Sequence, residues 1–366
     1  MSEVNAAAAM LVLARESRGL TQAEVAAAMT KASPTGEATS QGYVSRAESG
    51  RLTVSGERLA LYAEALGYPV ELLASDPEVP GVGVGLVHHR KKAALTASSL
   101  RCVHAQLALT RLQVEALAGT AGRDLAVHRM PWVELDALTT PKDAARAVRK
   151  AWRMPAGPVP DLIGVLEEAG VLVLVRDLGS AHLDAVSQFD GARAPLVLVN
   201  SWAPADRCRF SLAHELGHLV LHRVPGGADQ ERQADAFAAE FLMPASQIRP
   251  SFSSGVDLGR LAELKMQWKV SMSALLRRAQ TLNAITEWQY RSAMIEMSAL
   301  GYRTAEPVVL PGEQPHAVDA LVSGTIDRLE SVEAAAHCAR MLPEDFTRLY
   351  APPGGADDPS AVKART

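Results

Sequence analysis

Two histidines stand four positions apart in Phe210-Ser211-Leu212-Ala213-His214-Glu215-Leu216-Gly217-His218. On an α-helix that spacing places both imidazoles on one face, one turn apart, where together they can bind one zinc ion. Glu215 falls about 100° round the same helix, beside such an ion. There it can take a proton from water and pass it to a leaving amine, the chemistry of peptide hydrolysis. Helical periodicity supports the placement. Apolar residues recur at Phe210, Ala213, Leu216 and Val220, and His222-Arg223 followed by Pro225-Gly226-Gly227 ends the pattern.

The next segment offers a third ligand. Asp229 can cap a helix that carries Glu231, Gln233, Asp235 and Glu240 and stops before Pro244. With Glu231 set at zero, Ala234, Ala238, Leu242 and Phe241 lie within about 80°, Asp235 near about 40°, and Glu240 on the opposite side with Gln233. Glu231 therefore falls on the predicted buried face, where a carboxylate needs a partner. A zinc ion would serve, and so would a salt bridge at the helix start, where acids are favoured. Glu240 is the weaker alternative as ligand. His222 fits a cation capping the first helix's C-terminus, and Cys208 fits simple packing. Asp235, one turn beyond Glu231, can hold the free N–H of a ligating histidine.

These helices need a frame. Residues 141–250 alternate helix and strand: Val171 to Val175 and Leu196 to Val199 read as buried strands, with a third over Ala185 to Phe189. Val186-Ser187-Gln188 is expected as an edge strand beside the metal, where a peptide substrate can lie extended. Residues 257–300 read as helical. Leu258 to Ile285 has helix-turn-helix spacing, expected to pack first and touch DNA second.

The segment from Asn200 through Arg207-Cys208-Arg209 to His218, with Glu231 to Pro244, resembles the ImmA/IrrE family of zinc metallopeptidases over about residues 155–250. The resemblance implies a gluzincin-like fold, zinc ligands His214, His218 and Glu231, and Glu215 as catalytic base. It also implies a partner repressor as substrate, since family members cut repressors and so switch on phage, mobile-element or stress genes. The helices after residue 257 resemble the extension that follows the peptidase in this family.

The N-terminus carries a second pattern. Gly19 ends one helix, and Thr21 with Glu24 makes a capping box for the next. Ser40 caps a third, anchored by Val44 and stopped by Gly50. Gln41, Gly42, Tyr43, Ser45 and Arg46 then stand at the groove-facing start of a recognition helix, and Gln22 is placed to bond a phosphate. The Thr21-Gln22-x-x-Val25-Ala26 and Val44-Ser45-Arg46-x-Glu48-x-Gly50 strings resemble the Xre/Cro-type helix-turn-helix family over residues 9–74, which implies double-stranded DNA as partner. One departure is Ser33 to Ala38, which lengthens the turn between the two helices. A small helical domain for protein contacts would use the same fold.

The bulk properties bound these expectations. The chain has 366 residues, is 48% hydrophobic and carries a net charge of −4, so any DNA-binding charge must be local. Three distant cysteines with no CxxC pair argue against a disulfide framework and for a reducing, cytoplasmic setting. No apolar run is long enough to span a membrane. The expected fold class is α+β: an all-α helix-turn-helix bundle over residues 1–75, a linker and connecting helix over 76–140, a gluzincin-like domain with a small sheet over 141–250, a helical C-terminal region over 251–350, and a disordered tail over 351–366. The linker contains Pro77, Pro80 and three glycines, then the basic run His88-His89-Arg90-Lys91-Lys92. The expected function is a DNA-binding transcriptional regulator with a zinc endopeptidase that cuts itself or a partner repressor. The alternative is a DNA-binding regulator whose metal site senses or is inactive. Homodimerisation would suit a palindromic operator.

Overall fold

The computed structural model of the protein describes residues 4–75, 96–125, 130–180, 183–189, 193–223 and 228–350, and the main chain of 86–91. It divides into two compact units, Met1–Gly83 with Leu100–Leu125 and His316–Thr366, and Val84–Ser99 with Ala126–Pro315.

In the first unit, α1 (Ala8–Ser17), α2 (Gln22–Ala32), α3 (Gln41–Glu48), α4 (Gly56–Leu66) and α5 (Val70–Leu73) close around Val25, Met29, Val44, Leu59, Tyr62 and Leu66. Thr21 and Glu24 form the capping box of α2, and Ser40 Oγ accepts from the Tyr43 N–H at the start of α3. Gly19 and Gly50 adopt φ +68° and +72°, the left-handed conformation that a side chain resists. Residues 33–40 do lengthen the connection, but they are tied down. Thr30 Oγ1 accepts from the Thr39 N–H at 2.9 Å, and Glu37 pairs with Arg58 of α4. The long helix α6 (Ala97–Ala121) packs Ala105, Leu109 and Leu112 against Met10, Leu13 and Leu72.

The second unit is built on a four-stranded sheet in the order β1-β3-β4-β2: β1 (Leu86–Lys91), β2 (Leu172–Arg176), β3 (Leu183–Phe189) and β4 (Leu196–Asn200). β2 and β4 are parallel, and β3 is antiparallel to both β1 and β4. The basic run, read as linker, forms a strand over His88 to Lys91, while Lys92 and residues 76–85 lie outside the described residues. Val186-Ser187-Gln188 is not an edge, because backbone pairing with β1 covers the side of β3 that β4 leaves open. Period-two patterning cannot reveal whether a strand has one neighbour or two.

Around the sheet lie α7 (Pro141–Ala151), α8 (Leu162–Glu168), α9 (Ala205–Leu221), α10 (Ala228–Leu242), α11 (Ala245–Ile248), α12 (Leu258–Trp268), α13 (Met272–Thr281) and α14 (Glu287–Ala299). Residues Ser211 to His222 are all buried, since α9 lies between the sheet and α10. The sequence's second helix-turn-helix pattern, α12 and α13, points Leu261, Leu264, Trp268, Met272, Leu275 and Leu276 into the core of this unit. Its Arg278 donates from Nε to Met243 O at 2.9 Å and pairs with Glu240.

The helical C-terminal region does not stay together. α15 (Ala317–Leu329), α16 (Val332–Cys338) and α17 (Pro343–Tyr350) group with the first unit. Thr325 Oγ1 donates to Leu117 O at 2.9 Å, and Tyr350 OH donates to Gln113 Oε1 at 2.8 Å, both on α6. The expected tail over 351–366 and the Pro225-Gly226-Gly227 break lie outside the described residues. No described helix is long and apolar enough to cross a membrane.

Candidate metal centre

His214 and His218 project from the middle of α9 and are each 1% exposed. Their Nε2 atoms stand 3.1 Å apart. Glu231, near the start of α10, faces both: Oε2 is 3.3 Å from His214 Nε2, and Oε1 is 3.3 Å from His218 Nε2. Among the described residues these three form the cluster of metal-ligating side chains. A tetrahedral zinc site with bonds of about 2.0–2.1 Å has donors about 3.3 Å apart; the two imidazole nitrogens, each faced by one oxygen of the same carboxylate, have spacings and chemistry that suit that ion.

Close approach of the two helices makes the triangle possible. A Cβ on Gly217 would stand 3.1 Å from Ala234 Cα and 3.2 Å from its carbonyl oxygen. Glycine between the two metal-facing turns of α9 therefore lets α10 come near enough for Glu231 to reach across.

The protonation pattern also suits a cation. His214 Nδ1 donates to Asp235 Oδ1 at 2.9 Å, leaving Nε2 free to ligate. Burial pushes His214 down, but the Asp235 and Glu231 carboxylates outweigh it and hold the imidazole up at about 9. Glu231 is held far below the usual carboxylate range by hydrogen bonds to His214 and His218. A positive charge at this point, proton or metal, is what the carboxylates favour.

His222 differs from its expected role as a capping cation. It is buried at the C-cap of α9, and burial pushes its pKa down. Its Nε2 donates to Gln233 Oε1 at 2.8 Å, so its Nδ1 accepts from His218 Nδ1 at 3.0 Å. That chain leaves the His218 Nε2 lone pair for the metal. Sequence reasoning missed Gln233 because it sits opposite Glu231 on the helical wheel, and the wheel omits the neighbouring element.

The helical wheel also misjudged the two glutamates. The Glu231 side chain is 43% exposed, whereas Glu240, expected opposite the buried face, is 1% exposed. Glu240 is no ligand: Arg278 and Arg146 neutralise it, the latter at 2.9 Å. α10 is covered on two sides, by α9 and α7, so both faces matter. Cys208 donates to Ala203 O at 3.2 Å, and burial pushes the thiol up to about 11, consistent with a packed, inert residue.

Glu215 is fully buried beside the triangle. Its Oε2 accepts from Ser187 Oγ on β3, while Oε1 has no hydrogen-bond partner among the described residues. A buried carboxylate oxygen is costly without a partner, so this one calls for a proton, a water or a cation.

Two protein-family models match the chain. Residues 166–280 match the IrrE N-terminal-like domain, a peptidase family, and residues 11–73 match the helix-turn-helix family. The chain joins a DNA-binding helix-turn-helix domain to an IrrE-like peptidase-family domain. No curated protein matches the chain as a relative.

In the helix-turn-helix domain, Gln41 and Arg46 are exposed on α3, and Gly42 and Ser45 are half-buried. Tyr43 is also half-buried, 6.4 Å from the Tyr62 ring and beneath the Arg58 guanidinium at 5.4 Å, so it belongs partly to the core. Gln22 is engaged at both ends of its amide: Nε2 donates to Glu48 Oε2 at 3.0 Å, and Oε1 accepts from Gln41 Nε2 at 2.7 Å. Glu48 in turn is gripped by Arg15 at 2.7 Å. A phosphate contact from Gln22 would compete with this network. The network itself fixes α3 against α2.

Proposed function

We propose that the protein is a DNA-binding transcriptional regulator whose second unit is a zinc-dependent endopeptidase. The observation that carries this is the triangle of His214, His218 and Glu231 with the buried, half-satisfied Glu215 beside it. A zinc ion held by the three ligands supplies Lewis acidity toward a peptide carbonyl and toward water. Glu215 accepts the proton released by the attacking water and returns it to the leaving nitrogen. Ser187 holds the Glu215 carboxylate in place. Asp235 and the His222–Gln233 chain hold the two imidazoles in the ligating tautomer. In the first unit, Gln41, Ser45 and Arg46 read base edges and Gly42 leaves room for close approach of α3, with Gln22 and the buried end of Tyr43 setting the register of α3. The substrate in this proposal is the chain itself or a partner repressor.

The test incubates the zinc-loaded protein with intact helix-turn-helix repressors of the same source. Cleavage that Glu215→Gln abolishes supports the proposal, and no cleavage of any repressor or of the chain itself refutes the peptidase half. A shift of duplex DNA that Arg46→Ala weakens supports the other half.

A regulator that senses metal without cutting is favoured by one observation, that β3 has no free edge. Metal-dependent DNA affinity unaffected by Glu215→Gln would select it.

A further inference from the structure

Peptides bind beside a sheet by adding a strand to an exposed edge, with main-chain hydrogen bonds supplying affinity. In this unit the strand nearest the catalytic glutamate is β3, because Ser187 at its centre bonds Glu215. One side of β3 belongs to β4. The other side is taken by Leu86–Lys91, a segment that precedes the rest of the unit in sequence and follows the helix-turn-helix domain. The pairing is antiparallel and keeps one register from Leu86 to His89: Leu86 opposite Phe189, Val87 opposite Gln188, His88 opposite Ser187 and His89 opposite Val186. The same strand lies against α9, the helix that carries His214, Glu215 and His218. His88 thus stands at the register position facing the residue that holds Glu215.

Resting on the peptidase reading above, we infer that Leu86–Lys91 occupies the peptide-binding edge of the site and excludes other peptides from it. Covalent tethering gives a segment an effective concentration on the order of millimolar. An intrachain strand of modest intrinsic affinity therefore outcompetes a micromolar substrate, and the edge opens to a second chain only when the segment leaves. A register break between His89 and Lys91 interrupts the ladder near its end.

The test uses the full chain carrying Glu215→Gln, so that bound peptide is not consumed. A fluorescent peptide with the sequence of residues 86–91 is titrated by anisotropy into this chain and into one that also carries Val87→Pro and His88→Pro. Neighbouring residues of an antiparallel strand alternate between bonded and unbonded pairs, so the two prolines together remove at least one ladder donor. Binding at least tenfold tighter to the proline chain is expected. Equal binding to both chains, or binding to neither, overturns the inference. Should the proline chain fail to fold, hydrogen exchange of the unsubstituted chain decides. All β3 amides are expected to exchange slowly, and fast exchange of every second amide, as at an open edge, overturns it. Neither readout depends on catalysis, so an inactive zinc site leaves this result standing, and a free β3 edge leaves the peptidase proposal untouched.

Discussion

Ser187 Oγ donates to Glu215 Oε2 from the middle of a strand whose residues Leu183 to Gln188 are all buried. The bond joins the sheet to α9 at the residue proposed to move protons, and it fixes one carboxylate oxygen, while the other has no hydrogen-bond partner among the described residues.

Replacing that hydroxyl separates positioning from structure. Ser187→Ala should lower kcat roughly tenfold to a hundredfold, the worth of about 1.5–3 kcal/mol for a hydrogen bond to a charged group. KM and zinc stoichiometry should stay near their original values. A loss that appears in KM alone would instead assign Ser187 to substrate binding.

Metal content is the first quantity to measure. The purified protein should hold about one zinc per chain, and His214→Ala or Glu231→Ala should abolish it. Asp235→Asn should weaken zinc by about 10–100-fold in a chelator competition, because it leaves the ligand set intact but loosens the His214 tautomer. Chelation should lower the melting temperature of the second unit, since a ligand bound only by the folded state stabilises it.

Gly217→Ala tests the helix approach. The added methyl meets Ala234 at 3.1 Å, a contact that backbone atoms on α10 cannot easily yield. Overpacking of about 1–3 kcal/mol is expected. Zinc affinity should fall further than that of a Gly→Ala change on an open helix face, because the displacement carries Glu231 away. Unchanged zinc binding would show that α10 can shift without cost.

Buried charge on α10 gives a pH signature. Burial pushes the Glu240 carboxyl up, and Arg278 and Arg146 more than reverse this, leaving it below its ordinary value. A depressed carboxyl stabilises the fold above the unfolded carboxylate value and loses that contribution as pH falls through its folded value. Arg278→Met should cost about 3–5 kcal/mol at pH 7, since the carboxylate stays buried with one partner removed. Without Arg278, burial weighs more and protonation relieves the penalty. The gap between the two proteins in urea denaturation should therefore narrow as pH drops below about 4.5. A gap that is constant with pH would refute the pairing.

DNA recognition is read by two substitutions. Gln41→Ala should cost about 1–3 kcal/mol of specific binding and relax preference at one base, and Arg46→Ala about as much while reducing the salt slope if it contacts phosphate. Electrophoretic shifts at two salt concentrations distinguish these roles.

Much of this molecule is written in short sequence patterns, because helices and caps depend on neighbours within four residues. The i, i+4 spacing put His214 and His218 on one helix face, and the Thr21–Glu24 and Ser40 caps marked the starts of α2 and α3. Residues far apart in sequence came together only in the fold. Glu231 reaches the histidines from a half-exposed start of α10 because Gly217 admits that helix, and Glu240 is buried because α7 and α13 cover its other face. Gln233 and His222 hold the His218 tautomer through a contact between helices that no wheel displays. The pairing of Leu86–Lys91 with β3 is likewise invisible in the sequence, where the segment reads as a basic linker. Local periodicity sets which face of an element is apolar, but which neighbour covers each face depends on packing the whole unit at once.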